Sequence, residues 1–344
     1  MKISFLVTYY NQEQYVKQSL ESILAIDMPA EWEILVGDDG SSDGTVDIVK
    51  KYIEKYPGHI RLYCMEREKE KKYDPVQRAS ANRINLLEKS TGDLFCSLDG
   101  DDYFIDNSFI RDAFCVFEEK IDVSVVAFGF GYFQNNEKTR EVLLPVETNM
   151  IIDTEKYLRY WYIPSGACVH RKAWGNERIE LLKKLQSFDD NDITINSLNF
   201  GKMFFIKKII YAYRQTENSV YTSMDQMEKY MLNAYAYDVG KCMMEEKYHI
   251  ALMRRYSSAL INIYFYRKKI YSTLGCDICD HYKDICSILP DSLCYHILSD
   301  DLSRGKKREI RKIEAQNPLL VARLYAKLIK DIYCKHLSLF CEFI

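Results

Sequence analysis

Residues 93–102 read Asp93-Leu94-Phe95-Cys96-Ser97-Leu98-Asp99-Gly100-Asp101-Asp102, an apolar strand running straight into three carboxylates. Three acids within four residues repel one another unless a cation or hydrogen-bond donors compensate. The apolar run puts them at the carboxyl end of a strand, where parallel α/β sheets bind ligands. Hard divalent cations take oxygen ligands, and Mg²⁺ typically bridges one or two carboxylates and a substrate's phosphates. A metal–diphosphate role therefore accounts for the cluster better than a solvated turn. An EF-hand does not fit. Tyr103 and Phe104 stand where a ligand and the glycine are needed, and Ile110 where the bidentate Glu belongs.

Upstream, strand and helix alternate. Ile3–Thr8, Trp32–Gly37, Ile60–Met65 and Asp93–Leu98 read as strands; Asn11–Ala25, Asp43–Tyr56 and Gln77–Ser90 carry apolar residues at helical spacing. That alternation predicts a mostly parallel α/β sheet with right-handed crossovers, flanked by helices. Downstream, Phe109–Glu119 reads as a helix and Val123–Phe133, Ile163–His170 and Met203–Tyr213 as strands, with a helix from about 191 to 199. After Ser223 only long helical stripes remain: Met224–Glu246, His249–Leu274 and Leu319–Phe340. Two domains are expected, 1–222 and an α-helical 223–344.

Two more acidic clusters lie at strand ends or helix starts. Asp38-Asp39-Gly40-Ser41-Ser42-Asp43-Gly44-Thr45 follows the second strand, and Ser187-Phe188-Asp189-Asp190-Asn191-Asp192 precedes a helix. Turns and caps need one acid each. The surplus calls for another use, and a positioned carboxylate can act as a general base.

The 344 residues are 47% apolar, ample for a core, and 28% charged with a net charge of −3. The near-neutrality hides a split. Residues 1–222 carry 28 basic against 35 acidic side chains (net −7), and 223–344 carry 19 against 15 (net +4). An acidic half disfavours nucleic-acid binding, which needs phosphate neutralisation. The 11 cysteines, with no secretory signal at the start, fit a reducing cytosol. Cys276-x-x-Cys279 with His281 and Cys286 lacks a second ligand pair for zinc and reads as helical core. No run reaches the roughly 18 apolar residues of a membrane span.

Together these residues resemble a family 2 glycosyltransferase of the GT-A fold. Leu6-Val7-Thr8-Tyr9-Tyr10-Asn11 resembles the opening strand, and Asp38–Thr45 the nucleotide-binding acidic loop. Arg83, Thr91-Gly92 and Leu98–Asp102 resemble the helix and metal motif, Asp189-Asp190 ahead of Gly201 the acidic pair, and Tyr213-Arg214 with Asn218-Ser219 the closing segment. The likeness covers residues 1–222. It implies an inverting, nucleotide-sugar-dependent transferase with a Rossmann-like sheet and Mn²⁺ or Mg²⁺, acting in the cytoplasm in surface-polysaccharide synthesis. Its acceptor would be a glycan or lipid-linked glycan. Thr8 and Tyr10 would border the base, with Glu13 and Arg83 on base, ribose or diphosphate. Asp39 would accept from a pyrimidine N–H, favouring uridine. Asp99 would face the ribose and metal shell, Asp101 would bind the metal, and Asp190 would be the base. Two positions depart from the pattern: Ile84 replaces a common Asn, and Thr216 a His that sometimes ligates the metal.

Other classes fit less well. A phosphohydrolase built on Asp99 and Asp101 would want Thr or Val where Tyr103 stands, and a nucleotidyltransferase a Gly-rich phosphate loop where Tyr9-Tyr10-Asn11-Gln12 stands. A non-catalytic nucleotide-sugar sensor or scaffold has no need of both the metal motif and Asp189-Asp190. The C-terminal stripes read as a helical core packing on the catalytic domain. Arg304, Lys306, Lys307, Arg308, Arg311 and Lys312 are a candidate contact for anionic lipid. Of the 27 tyrosines, Tyr9, Tyr10 and Tyr103 are expected near the site, and Trp161-Tyr162 near the acceptor.

Overall fold

The computed structural model describes residues 1–68, 73–216, 224–267, 293–300 and 302–341. The chain divides into two compact units: residues 1–223 with 243–246, and 224–242 with 247–344.

The first unit is built on one ten-stranded sheet in the order β3-β2-β1-β4-β9-β6-β10-β5, with β7 on β6 and β8 on β10. Its first half is parallel: β1 (Ile3–Tyr9), β2 (Trp32–Asp38), β3 (Ile60–Cys64) and β4 (Leu94–Asp99). They are linked by α1 (Glu13–Leu24), α2 (Thr45–Lys55) and α3 (Pro75–Lys89). Strands β1, β2 and β4 are buried on both faces, which is why they read as continuous apolar runs. Register sets Tyr9 beside Asp38 and Thr8 beside Asp99, so three strand ends converge.

After β5 (Tyr103–Phe104) and α4 (Phe109–Glu119), the second half contains β6 (Val123–Gln134), β7 (Glu137–Val142), β8 (Met150–Ile152), α5 (Thr154–Tyr160), β9 (Cys168–Arg171), α6 (Asn176–Leu185), α7 (Asp190–Ser197) and β10 (Lys202–Arg214). Strand β9 runs antiparallel to both β4 and β6, while β10 runs parallel to β6. The sheet is therefore mixed but mostly parallel. The expected strand over Ile163–His170 is shorter than its apolar pattern. A 3₁₀ turn occupies Ser165–Ala167, closed by the Ala167 N–H donating to the Pro164 carbonyl, and pairing starts at Cys168. Proline has no N–H to give a ladder, so the turn takes its place. The weakly patterned stretch 136–160 holds two short strands and α5.

The second unit is helical: α8 (Gln226–Met243), α9 (249–267), α10 (Leu293–Leu298), α11 (Arg304–Gln316) and α12 (Pro318–Cys341). The buried Asp238 carboxylate of α8 accepts the Leu293 and Cys294 N–H groups that open α10. Tyr237 and Lys241 of α8 both donate to Glu309 of α11, each at 2.9 Å. The Cys276–Cys286 cluster and Asn218-Ser219 lie outside the described residues. Among those described, no helix is long and apolar enough to cross a membrane.

Candidate active site

The acids gather at the carboxyl ends of β1, β2 and β4. The chain leaves β1 through Asn11, whose φ of 50° suits asparagine's tolerance of the left-handed region. The Asn11 side chain accepts from the Ser42 N–H at 2.8 Å, and the Asp39 N–H donates to the Tyr9 carbonyl at 2.9 Å, so the β1 and β2 ends are tied together. Glu13 sits at the edge of this lock and accepts the Gly44 N–H at 2.7 Å. Tyr9 is buried with its hydroxyl on Ser19, and Tyr103 packs edge-on against Phe133. Both belong to the core. Tyr10 is 46% exposed and remains at the cleft.

Asp38 and Asp39 divide their tasks. Asp38 closes its own turn by accepting the Gly40 and Ser41 N–H groups at 3.0 and 2.9 Å. Asp39 is buried yet doubly paired. Arg67 donates to its carbonyl at 2.7 Å and to Oδ2 at 2.5 Å, and Arg78 of α3 to Oδ1 at 2.6 Å. The Arg67 guanidinium also lies 3.9 Å from the Tyr10 ring centroid, and Arg78 4.7 Å from that of Tyr73. Arg67, Arg78 and Tyr73 were not singled out from sequence. Arg67 and Tyr73 lie in the charge-rich loop ahead of α3, and Arg78 in the first turn of α3 itself.

The β4 turn repeats the division. Arg83 of α3 donates to Asp99 Oδ1 at 2.7 Å, and Thr8 donates to the same oxygen at 3.3 Å. Gly100 is a necessity: a Cβ there would lie 2.1 Å from Cδ1 of the buried Tyr9 ring. Asp102 turns inward, where Tyr211 donates its hydroxyl and Arg214 its backbone N–H at 2.6 Å. Burial first, then Asp101 and Asp99, raise the Asp102 carboxyl well above the usual range. Arg214 braces the turn through the Asp101 carbonyl (2.6 Å), Asn136 (2.8 Å) and Gln18 (2.6 Å). Asp101 differs from both neighbours. Among the described residues no side chain hydrogen-bonds its carboxylate, which burial and the Asp99 charge push up to about 6.

In the third cluster, Asp189 and Asp192 form a reciprocal capping box at the start of α7. The segment is pinned by the Phe188 N–H donating to Ser80 of α3 at 3.0 Å. Asp190 is left to point elsewhere. Ser165 donates to its Oδ1 at 2.5 Å and Tyr162 to its Oδ2 at 2.9 Å. Its carboxyl is raised by burial and by Asp99, against the lowering influence of Arg83. Arg83 in turn is charged more firmly by Asp99, Asp190 and Asp189, although burial opposes this. Thr8, Arg83, Asp99, Asp101 and Asp190 thus share one electrostatic neighbourhood, with Tyr10 just past the end of β1 and Asp39 one strand away, past the end of β2. Ser165 was missed from sequence, where it appeared only as part of an apolar strand.

The donor chemistry around Asp99 and Asp101 fits a divalent cation. It is all oxygen, Asp101 is hydrogen-bonded by no side chain among the described residues, and Asp99 keeps Oδ2 beside the Oδ1 used by Arg83 and Thr8. Among the described residues no third His, Cys, Asp or Glu completes a protein cage. Such a cation would need further oxygens from a ligand or water.

Comparison with known proteins agrees with this architecture. Residues 4–180 match the family model described as glycosyl transferase family 2. An uncharacterized glycosyltransferase, the MG060 homolog of Mycoplasma pneumoniae, is 28% identical over 209 residues, covering 59% of this chain and 64% of that one. The poly(ribitol-phosphate) beta-N-acetylglucosaminyltransferase TarS of Staphylococcus aureus is 32% identical over 120 residues, covering 35% of this chain and 19% of TarS. The chain thus spans less than two thirds of either relative. The crystal structure of S. aureus TarS 1-349 in complex with UDP-GlcNAc superposes with a TM-score of 0.58 at 20% identity, over 92% of this chain and 91% of that one. The mostly parallel sheet, the acids at its strand ends and a family match over half the chain converge: this protein is a family 2 glycosyltransferase with a GT-A fold.

Proposed function

We propose that the protein moves a sugar, with inversion, from a uridine-diphosphate donor to a hydroxyl of a glycan or lipid-linked glycan, in the cytoplasm, as a step of surface-polysaccharide synthesis. The observation that carries this reading is Asp190: a half-buried carboxylate, raised by its surroundings, held by two hydroxyls beside Asp99 and Arg83. A raised carboxylate is better matched to taking a proton near neutral pH. The acceptor O–H gives its proton to Asp190 as its oxygen bonds the anomeric carbon. The bond from that carbon to the diphosphate oxygen breaks on the opposite face, and the nucleotide leaves with the electron pair. Asp101 and Asp99 would hold Mn²⁺ or Mg²⁺, which when bound supplies Lewis-acid stabilisation of the departing diphosphate.

Thr8, Tyr10, Glu13, Asp39, Arg83 and Asp99 are assigned to the donor nucleotide, and residues 1–222 to the catalytic domain, with 223–344 as the helical C-terminal domain. Uridine is favoured through Asp39, whose carboxylate can accept a ring N–H. Arg67 now stacks on Tyr10 and bonds Asp39, so an incoming base displaces it and takes over both contacts. TarS, named as a poly(ribitol-phosphate) beta-N-acetylglucosaminyltransferase and crystallised with UDP-GlcNAc, supports that nucleotide and a polymer hydroxyl as acceptor. The test is turnover of a UDP-sugar panel with Mn²⁺ or Mg²⁺, read as released UDP with and without acceptor polymers. Asp190→Asn should lower turnover by about 10²–10⁴-fold while leaving donor affinity within about threefold. Donor binding with no turnover under any condition would instead make the protein a sensor. An Asp190→Asn variant as active as the parent would remove the assigned base.

A further inference from the structure

Helix α11 has two unlike faces. Ile310 and Ile313 are buried, while Arg304, Lys307, Arg308, Arg311 and Lys312 are exposed at helical spacing. Among the described residues none of these five cations has a hydrogen bond or an ion pair. The helix's two acids do not offset them: Glu309 is taken by Lys241 and Tyr237, and Glu314 lies half-buried near the far end. The next helix adds a second peculiarity. On α12, Leu319 is 75%, Tyr325 47%, Leu328 46% and Ile329 56% exposed. Residues 318–329 contain Arg323 and Lys327 and no acid. Single exposed apolar residues are ordinary, but three large ones on one side of a helix, Tyr325, Leu328 and Ile329, directly after a row of free cations ask for a partner.

We propose that α11 and the start of α12 dock the protein on the surface of an anionic lipid bilayer. The cations meet lipid phosphates, and Tyr325, Leu328 and Ile329, which fall within about 100° of one another round α12, enter the headgroup–acyl boundary. The two features together select this partner. A soluble polyanion would use the cations and leave the tyrosine, leucine and isoleucine wet. A second copy would cover the apolar residues but bring like charge against like charge. Basic side chains beside exposed apolar ones are what interfacial helices combine. The contact is one of surface binding, independent of the transfer chemistry, so its failure would leave the transferase reading standing.

The protein should float with vesicles of phosphatidylcholine containing about a third phosphatidylglycerol, and release at high salt, because exposed charges are screened. It should not float with phosphatidylcholine alone. Arg308→Glu/Arg311→Glu/Lys312→Glu should weaken binding by at least about tenfold. Leu328→Ser/Ile329→Ser should weaken it severalfold. Circular dichroism matching the parent checks folding, and UDP release in solution should be unchanged in both. Three results would overturn the proposal. One is no flotation at low salt. Another is flotation that the apolar pair does not affect and soluble polyphosphate matches, which would make the patch a polyanion site. The third is concentration-dependent dimerisation, abolished by the apolar pair, without lipid binding.

Discussion

Asp101→Asn should make the metal-free protein more stable while removing the metal dependence assigned to it. Asp101 is half-buried, and its carboxyl is pushed up to about 6 by burial first and Asp99 second. An unfolded aspartate titrates near pH 4. Between those values the folded state binds more protons than the unfolded one, so stability falls as pH rises through that window. Above it the full cost is present. Two pKa units correspond to about 3 kcal/mol, and water at the open side of the carboxyl screens part of that, leaving about 1–3 kcal/mol. Asparagine keeps the shape and cannot ionise. At pH 8 in EDTA the variant should therefore melt several degrees above the parent, at about 2–4 °C per kcal/mol for a unit of this size. At pH 4 the two should coincide. Mn²⁺ or Mg²⁺ should then raise the parent's melting temperature by mass action and the variant's much less. The reasoning fails if the variant melts at or below the parent at pH 8. It also fails if metal raises both alike.

Two further substitutions probe the base and the turn. Ser165 donates to the charged form of Asp190 and so lowers its carboxyl. Ser165→Ala should raise it further and move the acidic limb of the kcat/KM profile to higher pH, read from pH–rate curves. Gly100→Ala places a methyl 2.1 Å from the Tyr9 ring and 2.4 Å from Gln12 Oε1. With no room to yield, it should cost more than about 2 kcal/mol in denaturant unfolding and abolish turnover, because the same turn aims Asp99 and Asp101.

What could be read from the sequence follows contact range. Strands β1, β2 and β4 were legible because burial on both faces leaves an apolar run, and the acids because they crowd within a few residues. Arg67 and Arg78 were not, since they reach Asp39 across 28 and 39 residues. Arg214 stood out as part of the closing segment, but its hold on the Asp101 carbonyl across 113 residues did not. Local spacing carries no trace of such pairs. Ser165 was hidden for another reason. Its apolar neighbours mimic a strand, whereas Pro164 opens a turn that aims its hydroxyl at Asp190.

The three acidic clusters also show why a run of carboxylates is ambiguous on its own. In each, one or two acids satisfy backbone or core donors and thereby fix the direction of those they present. Asp38 closes the turn that presents Asp39. Asp102 anchors to Tyr211 and Arg214 and holds Asp99 and Asp101 outward. Asp189 and Asp192 cap α7 and leave Asp190 facing Ser165 and Tyr162. Replacing an anchoring acid and replacing the acid it presents should therefore fail differently. Asp102→Asn would strike the fold first, since its carboxylate accepts two buried donors and an amide reproduces that pairing imperfectly. Asp190→Asn would strike turnover with the fold intact, because one cap-independent side chain changes and the capping box remains. Unfolding curves paired with UDP-release rates separate the two. If both substitutions lowered stability and activity in the same proportion, the division of labour within each cluster would be wrong.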